Sequence, residues 1–283
     1  MPRHHRHLTG RRLRAALEPI VARAPAIAVA LDFDGSLAPI VADPGAATAL
    51  PEAIDAVRGL SGRVQEIAIV SGRPVEFLRA AVPVRGAVLL GQYGMEREGS
   101  DGSTVLDPRV REALGPIDIT RIAREARAAL PDVRVEEKGG VAVALHWREH
   151  PDAAGAAVRW AVPVAERTGL ALAPGRMALE LRPLVPVDKG TAVRDLVLGP
   201  PSAVRDRLQA PKALIVAGDD HGDIPAFRVA EELVADGTLA AALRIGVRSA
   251  EAPPELDEHS DLVVDGPHGL AQVLAALARA LAG

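Results

Sequence analysis

Three short apolar runs, at residues 27–31, 67–70 and 213–217, constrain this chain more than any other feature, and a further strand is expected near residues 243–247. Each has the length of a buried strand and is too short for a helix spanning a domain. Helical patterns separate them, near residues 52–60, after Pro74, after Lys189 and from Ile224, with a closing helix from Leu270. Strands alternating with helices require crossover connections, so the sequence predicts an α/β fold built on an open, mostly parallel sheet.

Between the two α/β portions, over residues 107–182, the pattern changes. Residues 119–130 and 153–168 read as helices, while 133–138 and 141–148 alternate at period two around Gly139 and Gly140. A second pair of short strands is expected to flank Pro174 and Gly175, the later strand carrying Met177. The middle portion is therefore predicted to be an inserted α+β cap, with residues 1–106 and 183–283 forming one open α/β core.

The composition narrows the chemistry. The chain of 283 residues is 48% hydrophobic and 25% charged, with a formal net charge of -4. That balance belongs to a globular protein and provides no global attraction to nucleic acid or anionic membrane. With no cysteine, thiolate nucleophiles, zinc-thiolate sites and disulfides are excluded. No run reaches the roughly 20 apolar residues of a membrane-spanning helix, which predicts a cytoplasmic protein. The His- and Arg-rich start, residues 1–14, is read as a frayed, solvated end, since no aromatic residue interleaves its charges.

Each strand end carries polar chemistry. Asp32, Phe33, Asp34, Gly35 and Ser36 follow the first run, and the carboxyl ends of strands in an open α/β sheet face the ligand crevice. Two carboxylates two residues apart suit phosphoryl transfer, one attacking phosphorus and the other protonating the departing oxygen. An Asp-x-Asp after a strand is equally a surface turn. Ser71, Gly72 and Arg73 follow the second run, and a hydroxyl with free N–H groups ahead of a helix can cradle phosphate oxygens, although Ser-Gly is also a common turn. Lys189 is one of three lysines, with Lys138 and Lys212, and stands at a helix start, where its ammonium can neutralise phosphate oxygens or remain solvated. Gly218, Asp219 and Asp220, with Asp223 beyond, follow the third run. Carboxylates clustered at a strand end either repel one another until a hard divalent cation compensates, or cap the next helix.

Taken in order, Asp32 to Ser36, Ser71, Lys189 and Gly218 to Asp220 resemble the four motifs of the haloacid dehalogenase superfamily. The resemblance implies a Rossmann-like core, Asp32 as nucleophile, Asp34 as acid/base, Ser71 and Lys189 as phosphoryl-stabilising groups, and magnesium held by Asp32, Asp34 through its carbonyl, and Asp219, with Asp220 or Asp223 assisting. In the middle portion, Arg134, Glu136 and Lys138 share one strand face, as do His146 and Arg148, and Glu180 and Arg182. Glu136 to Lys138, His146 to Arg148, Glu180 to Pro183 and Asp188 to Gly190 are similar in order and spacing to trehalose-6-phosphate phosphatases. That similarity implies disaccharide contacts from Glu136, Lys138, Arg148 and Glu180, a sugar-phosphate substrate cradled by Ser71, Gly72 and Arg73, and a possible trehalose-phosphate synthase partner. The chain departs from the family pattern at Tyr93, where His is usual, at Gly222-Asp223-Ile224-Pro225, and at Ser36 in place of Thr. Phosphatases of sucrose phosphate or mannosyl-3-phosphoglycerate, or a non-catalytic sugar-phosphate-binding module, are the alternatives.

Overall fold

The computed structural model describes residues 10–41, 43–175, 177–199, 210–249 and 252–283. In chain order its first elements are α1 (Gly10–Val21), β1 (Ile27–Leu31), α2 (Pro51–Leu60), β2 (Glu66–Val70), α3 (Val75–Ala81), β3 (Val88–Gly91), β4 (Glu96–Glu98) and β5 (Thr104–Leu106). There follow α4 (Pro108–Leu114), α5 (Ile119–Ala129), β6 (Arg134–Lys138), β7 (Ala142–His146), α6 (Ala154–Thr168), β8 (Ala171–Gly175) and β9 (Ala178–Arg182). The chain closes with α7 (Lys189–Leu198), β10 (Ala213–Gly218), α8 (Ile224–Ala235), β11 (Ala241–Arg248), α9 (Pro254–His259), β12 (Leu262–Asp265) and α10 (Gly266–Ala280).

The apolar runs become the middle of one eight-stranded sheet of order β12-β11-β10-β1-β2-β3-β4-β5. Strands β12 through β3 pair in parallel, and β4 and β5 add an antiparallel edge. All five side chains of β1 are buried, as a central parallel strand covered on both faces requires. Side chains of α1, α2, α3 and α10 pack on one face and those of α7, α8 and α9 on the other. Fully buried Leu31 and Phe33 each contribute about 1.5–3 kcal/mol by leaving water. Sequential strands run outward in both directions from β1, which has β2 on one side and β10 on the other. The crevice at a parallel sheet's carboxyl end opens at such a switch point.

A second, antiparallel sheet of order β6-β7-β9-β8 has α4, α5 and α6 against one face. Val143, Leu145, Leu179 and Leu181 fill that face, while Arg134, Glu136, Lys138, His146 and Glu180 line a cavity on the other. Period-two alternation thus divides apolar from charged surface.

The structure corrects several sequence expectations. Residues 10–14, read as part of a frayed end, open α1, which Leu17 and Ile20 anchor in the core; residues 1–9 lie outside the described ones. Pro174 and Gly175 are not the turn of the second hairpin but pair within β8, and Met177 sits in the turn at φ 55°. Pro174 is tolerated there because β8 is an edge strand, where a missing N–H breaks no ladder. Strands β3, β4, β5 and β12 and helices α4 and α9 were not anticipated, since all are short and Glu96, Arg97 and Glu98 make β4 charged.

Candidate active site

The rim is built from the ends of β1, β2, β3 and β10 and the start of α7. Asp188 caps α7 with a reciprocal pair of bonds: its carboxylate accepts the Thr191 N–H at 2.8 Å, and the Thr191 hydroxyl accepts the Asp188 N–H at 2.9 Å. This fixes the first turn of the helix, and Lys189 points inward from it with 3% exposure. Its Nζ donates to Asp32 Oδ1 at 2.6 Å and to Asp223 Oδ1 at 2.7 Å. Asp223 Oδ2 in turn accepts the N–H groups of Asp219 and Asp220 at 3.0 and 3.1 Å. Residues 157 positions apart are thereby joined in one buried network.

Two glycines make the crowding possible. A Cβ on Gly35, whose φ is +79°, would lie 2.0 Å from Asp219 Oδ2, and one on Gly218 would lie 2.0 Å from Asp223 Cγ. Asp32, Asp219 and Asp223 each offer a carboxylate oxygen, all within 4.8 Å of one another. Three buried carboxylates face one ammonium. Burial pushes Asp32 up to about 7 against the opposing charge of Lys189, and burial, with the charges of Asp223 and Asp220, raises Asp219 to about 7. Burial raises Asp223 well above the carboxylate range as well. For Lys189, burial disfavours the charged form, but the charges of Asp223 and Asp32 outweigh it and hold the ammonium protonated. An anionic pocket of hard oxygen donors with too little internal positive charge fits a divalent cation such as magnesium.

The remaining sequence candidates divide between this cluster and its surroundings. Asp34 lies beside Asp32, but its carboxylate takes a bidentate pair from Arg73 at 2.7 Å to each oxygen. Arg73, expected to bind substrate, therefore holds Asp34, and its guanidinium stacks 4.6 Å over the Phe77 ring. Ser71 is buried at the end of β2, and its hydroxyl accepts the Arg73 N–H at 3.2 Å. Ser36 Oγ is buried with no hydrogen-bond partner among the described residues. Asp220, expected among the metal ligands, stands outside the cluster: it is exposed and accepts the Gly222 N–H at 2.8 Å. Asp223 occupies the buried place instead, two hydrogen bonds from the backbone fixing it there.

Above the rim lies a cavity of about 640 Å³ that brings together Glu136, Lys138, Arg148 and Glu180 with Arg134, His146, Arg182 and Tyr93. Strand register sets Glu136 opposite Ala144 and Ala144 opposite Glu180, so alanine forms a low floor between two carboxylates. Lys138 donates to Glu180 at 2.6 Å, and His146 Nε2 lies 2.9 Å from Glu136 Oε2. His146 hydrogen bonding lowers the Glu136 carboxyl, whereas Glu180 overcomes the burial cost at Lys138 and raises it. Arg148 is exposed at the cavity wall. The network around Asp34 and Arg73 escaped the sequence, because a bidentate contact spanning 39 residues leaves no local pattern.

Comparison with known proteins decides the family. A family model described as trehalose-phosphatase matches residues 30–260. The chain belongs to the trehalose-phosphatase family. Curated relatives include a trehalose-phosphate phosphatase of Mycobacterium tuberculosis, 36% identical over 214 residues, covering 74% of this chain and 52% of that protein. Another trehalose-phosphate phosphatase, from Mycobacterium marinum, is 32% identical over 217 residues, covering 76% of this chain and 54% of the relative. The chain thus spans about half the length of these trehalose-phosphatase relatives. Among solved structures, the C-terminal domain of the C. albicans trehalose-6-phosphate phosphatase superposes with a TM-score of 0.68 at 20% identity, covering 94% of this chain and 96% of that one, a likeness of fold.

Proposed function

We propose that this chain hydrolyses trehalose 6-phosphate to trehalose and inorganic phosphate, the last step of trehalose biosynthesis, through an aspartyl-phosphate intermediate. The observation that carries the reading is the buried cluster of Asp32, Lys189, Asp219 and Asp223 within the span of the family match. In this reading residues 1–106 and 183–283 are the catalytic core and 107–182 a substrate-specificity cap.

Asp32 Oδ attacks phosphorus as the bond to the sugar oxygen breaks, and the departing oxygen takes its proton from Asp34. A water then attacks the aspartyl-phosphate phosphorus, giving its proton to Asp34 and returning Asp32 as a carboxylate. Asp34 can serve only when Arg73 loosens its bidentate grip on the carboxylate. Lys189 and Ser71 stabilise charge on the phosphoryl oxygens, usually the largest catalytic term in such transfers. Magnesium, held by Asp32, the main-chain carbonyl of Asp34 and Asp219, would supply neutralisation of the phosphoryl charge. Asp223 keeps Lys189 and the 219–220 backbone in place around it.

Glu136, Lys138, Arg148 and Glu180 take the sugar hydroxyls. Association with a trehalose-phosphate synthase and a cytoplasmic location belong to the same reading; among the described residues no helix is long and apolar enough to cross a membrane. A phosphate-release screen over sugar phosphates, with and without magnesium, tests it. Magnesium-dependent turnover of trehalose 6-phosphate, abolished in Asp32→Asn, is expected. Preference for another sugar phosphate, or unchanged release by Asp32→Asn, would overturn it.

A further inference from the structure

Strand β3 ends at the same rim as β1, β2 and β10, yet the reading above gives its turn no role. Gln92 and Tyr93 both adopt left-handed backbone, at φ 51° and 61°, followed by Gly94 at 98°. Two successive non-glycine residues in this region are costly and persist only where surroundings hold them. Here the Gln92 N–H donates to Arg73 O at 3.0 Å and the Tyr93 N–H to Ser71 O at 2.8 Å, which clips the turn onto the Ser71–Arg73 loop. On its other side a Cβ at Gly94 would lie 2.8 Å from Ala192 Cβ, so the turn also packs against α7, the helix that carries Lys189.

The held side chain lies between the phosphate rim and the cavity. A Cβ on Gly72 would stand 2.7 Å from Tyr93 Cζ and 2.8 Å from its hydroxyl, so only glycine lets the phenol lie across this loop. One on Gly222 would lie 3.7 Å from Tyr93 Cε1. The ring lines the cavity with Lys138 and Glu180, and its hydroxyl has no hydrogen-bond partner among the described residues. Burial raises the phenol above its ordinary range, so it remains a proton donor at neutral pH.

We propose that Tyr93 is a specificity-determining residue whose hydroxyl donates to the sugar hydroxyl nearest the phosphate-bearing carbon, at the junction between phosphate cradle and sugar wall. The inference rests on the sugar-phosphatase reading and refines it. The cradle already offers Ser71 and Lys189 to phosphoryl oxygens, whereas the phenol lines the cavity beside the Lys138–Glu180 wall as a donor with no partner among the described residues. A site built to bind a substrate hydroxyl discriminates against substrates that lack it.

The test compares wild type, Tyr93→Phe and Tyr93→His on trehalose 6-phosphate and on p-nitrophenyl phosphate, which has no sugar hydroxyl. For Tyr93→Phe the ratio of the two kcat/KM values is expected to shift against the sugar phosphate by roughly 2- to 13-fold, the effect of one net hydrogen bond, with the loss in KM rather than kcat. Tyr93→His keeps a ring and an N–H donor and tolerates left-handed backbone, and is expected to recover part of the ratio. Equal losses on both substrates, which would mean that the hydroxyl serves phosphate or that the turn is merely structural, overturn the proposal, as does an unchanged ratio. If wild type prefers a different sugar phosphate, the substrate assignment fails while the same ratio, measured with that sugar, still decides the role of Tyr93. If there is no turnover at all, calorimetric titration of trehalose 6-phosphate into Asp32→Asn with and without Tyr93→Phe decides it, equal affinities refuting the contact.

Discussion

Withdrawing divalent cations is expected to weaken the fold increasingly as the pH rises from about 4 to about 7. The reason lies in the cluster at the ends of β1 and β10. Asp32 and Asp219 are each pushed from 3.8 to about 7, chiefly by burial. Across that window the folded protein holds protons that the unfolded chain has released, so stability falls as pH rises and the penalty is complete above about pH 7. A displacement of roughly 3 pH units corresponds to about 4 kcal/mol. Because the two groups interact, one such increment rather than two is the working figure for the cluster. A bound cation compensates the ionised carboxylates and removes the penalty, so it should stabilise little at pH 5 and most at pH 8. At about 2–4 °C per kcal/mol for a chain of this class, the difference is on the order of 10 °C. Thermal melts followed by circular dichroism at pH 5 and pH 8, in EDTA and in excess magnesium, measure it. An equal magnesium increment at the two pH values, or none at either, would refute the reasoning.

Other outcomes follow from single contacts. Gly35→Ala drives a Cβ to within 2.0 Å of Asp219 Oδ2, and displacing that carboxylate by about 1 Å is expected to cost on the order of 100-fold in kcat/KM, read by phosphate release, with calorimetry showing weakened magnesium binding. Arg73→Ala removes a part-buried bidentate pair with Asp34, so urea denaturation is expected to show a loss of about 1–3 kcal/mol, while Arg73→Lys cannot restore the bidentate geometry. Lys138→Met and Glu180→Gln break one ion pair inside the cavity, and a double-mutant cycle on KM is expected to give a coupling of about 0.5–3 kcal/mol.

The middle of the central sheet was legible because β1, β2 and β10 carry continuous apolar runs, each followed by polar residues where a parallel sheet opens a crevice. The runs at residues 27–31 and 213–217 therefore gave both a strand and the position of Asp32 and Asp219. The charged face of the second sheet was equally readable, since period-two alternation separates Glu136 and Glu180 from Val143 and Leu181 whatever the surrounding fold. Short elements were not: three charged residues become β4 only because β3 and β5 supply partners. Asp220 and Asp223 could not be ranked in advance, because what separates them is which carboxylate the 219–220 N–H groups capture, a feature of the folded turn. The turn at Gln92 and Tyr93 was hidden for the same reason, its left-handed backbone being imposed by bonds to Ser71 and Arg73.

The central claim is that Asp32 attacks phosphorus. Acid-quenching the intact protein during turnover of trehalose 6-phosphate with magnesium, followed by peptide mass spectrometry, tests it directly. A phosphoryl group carried on Asp32 at early times and lost as free phosphate accumulates is the expected result. Steady phosphate release with that peptide never modified, or with the phosphoryl group on another side chain, would contradict it.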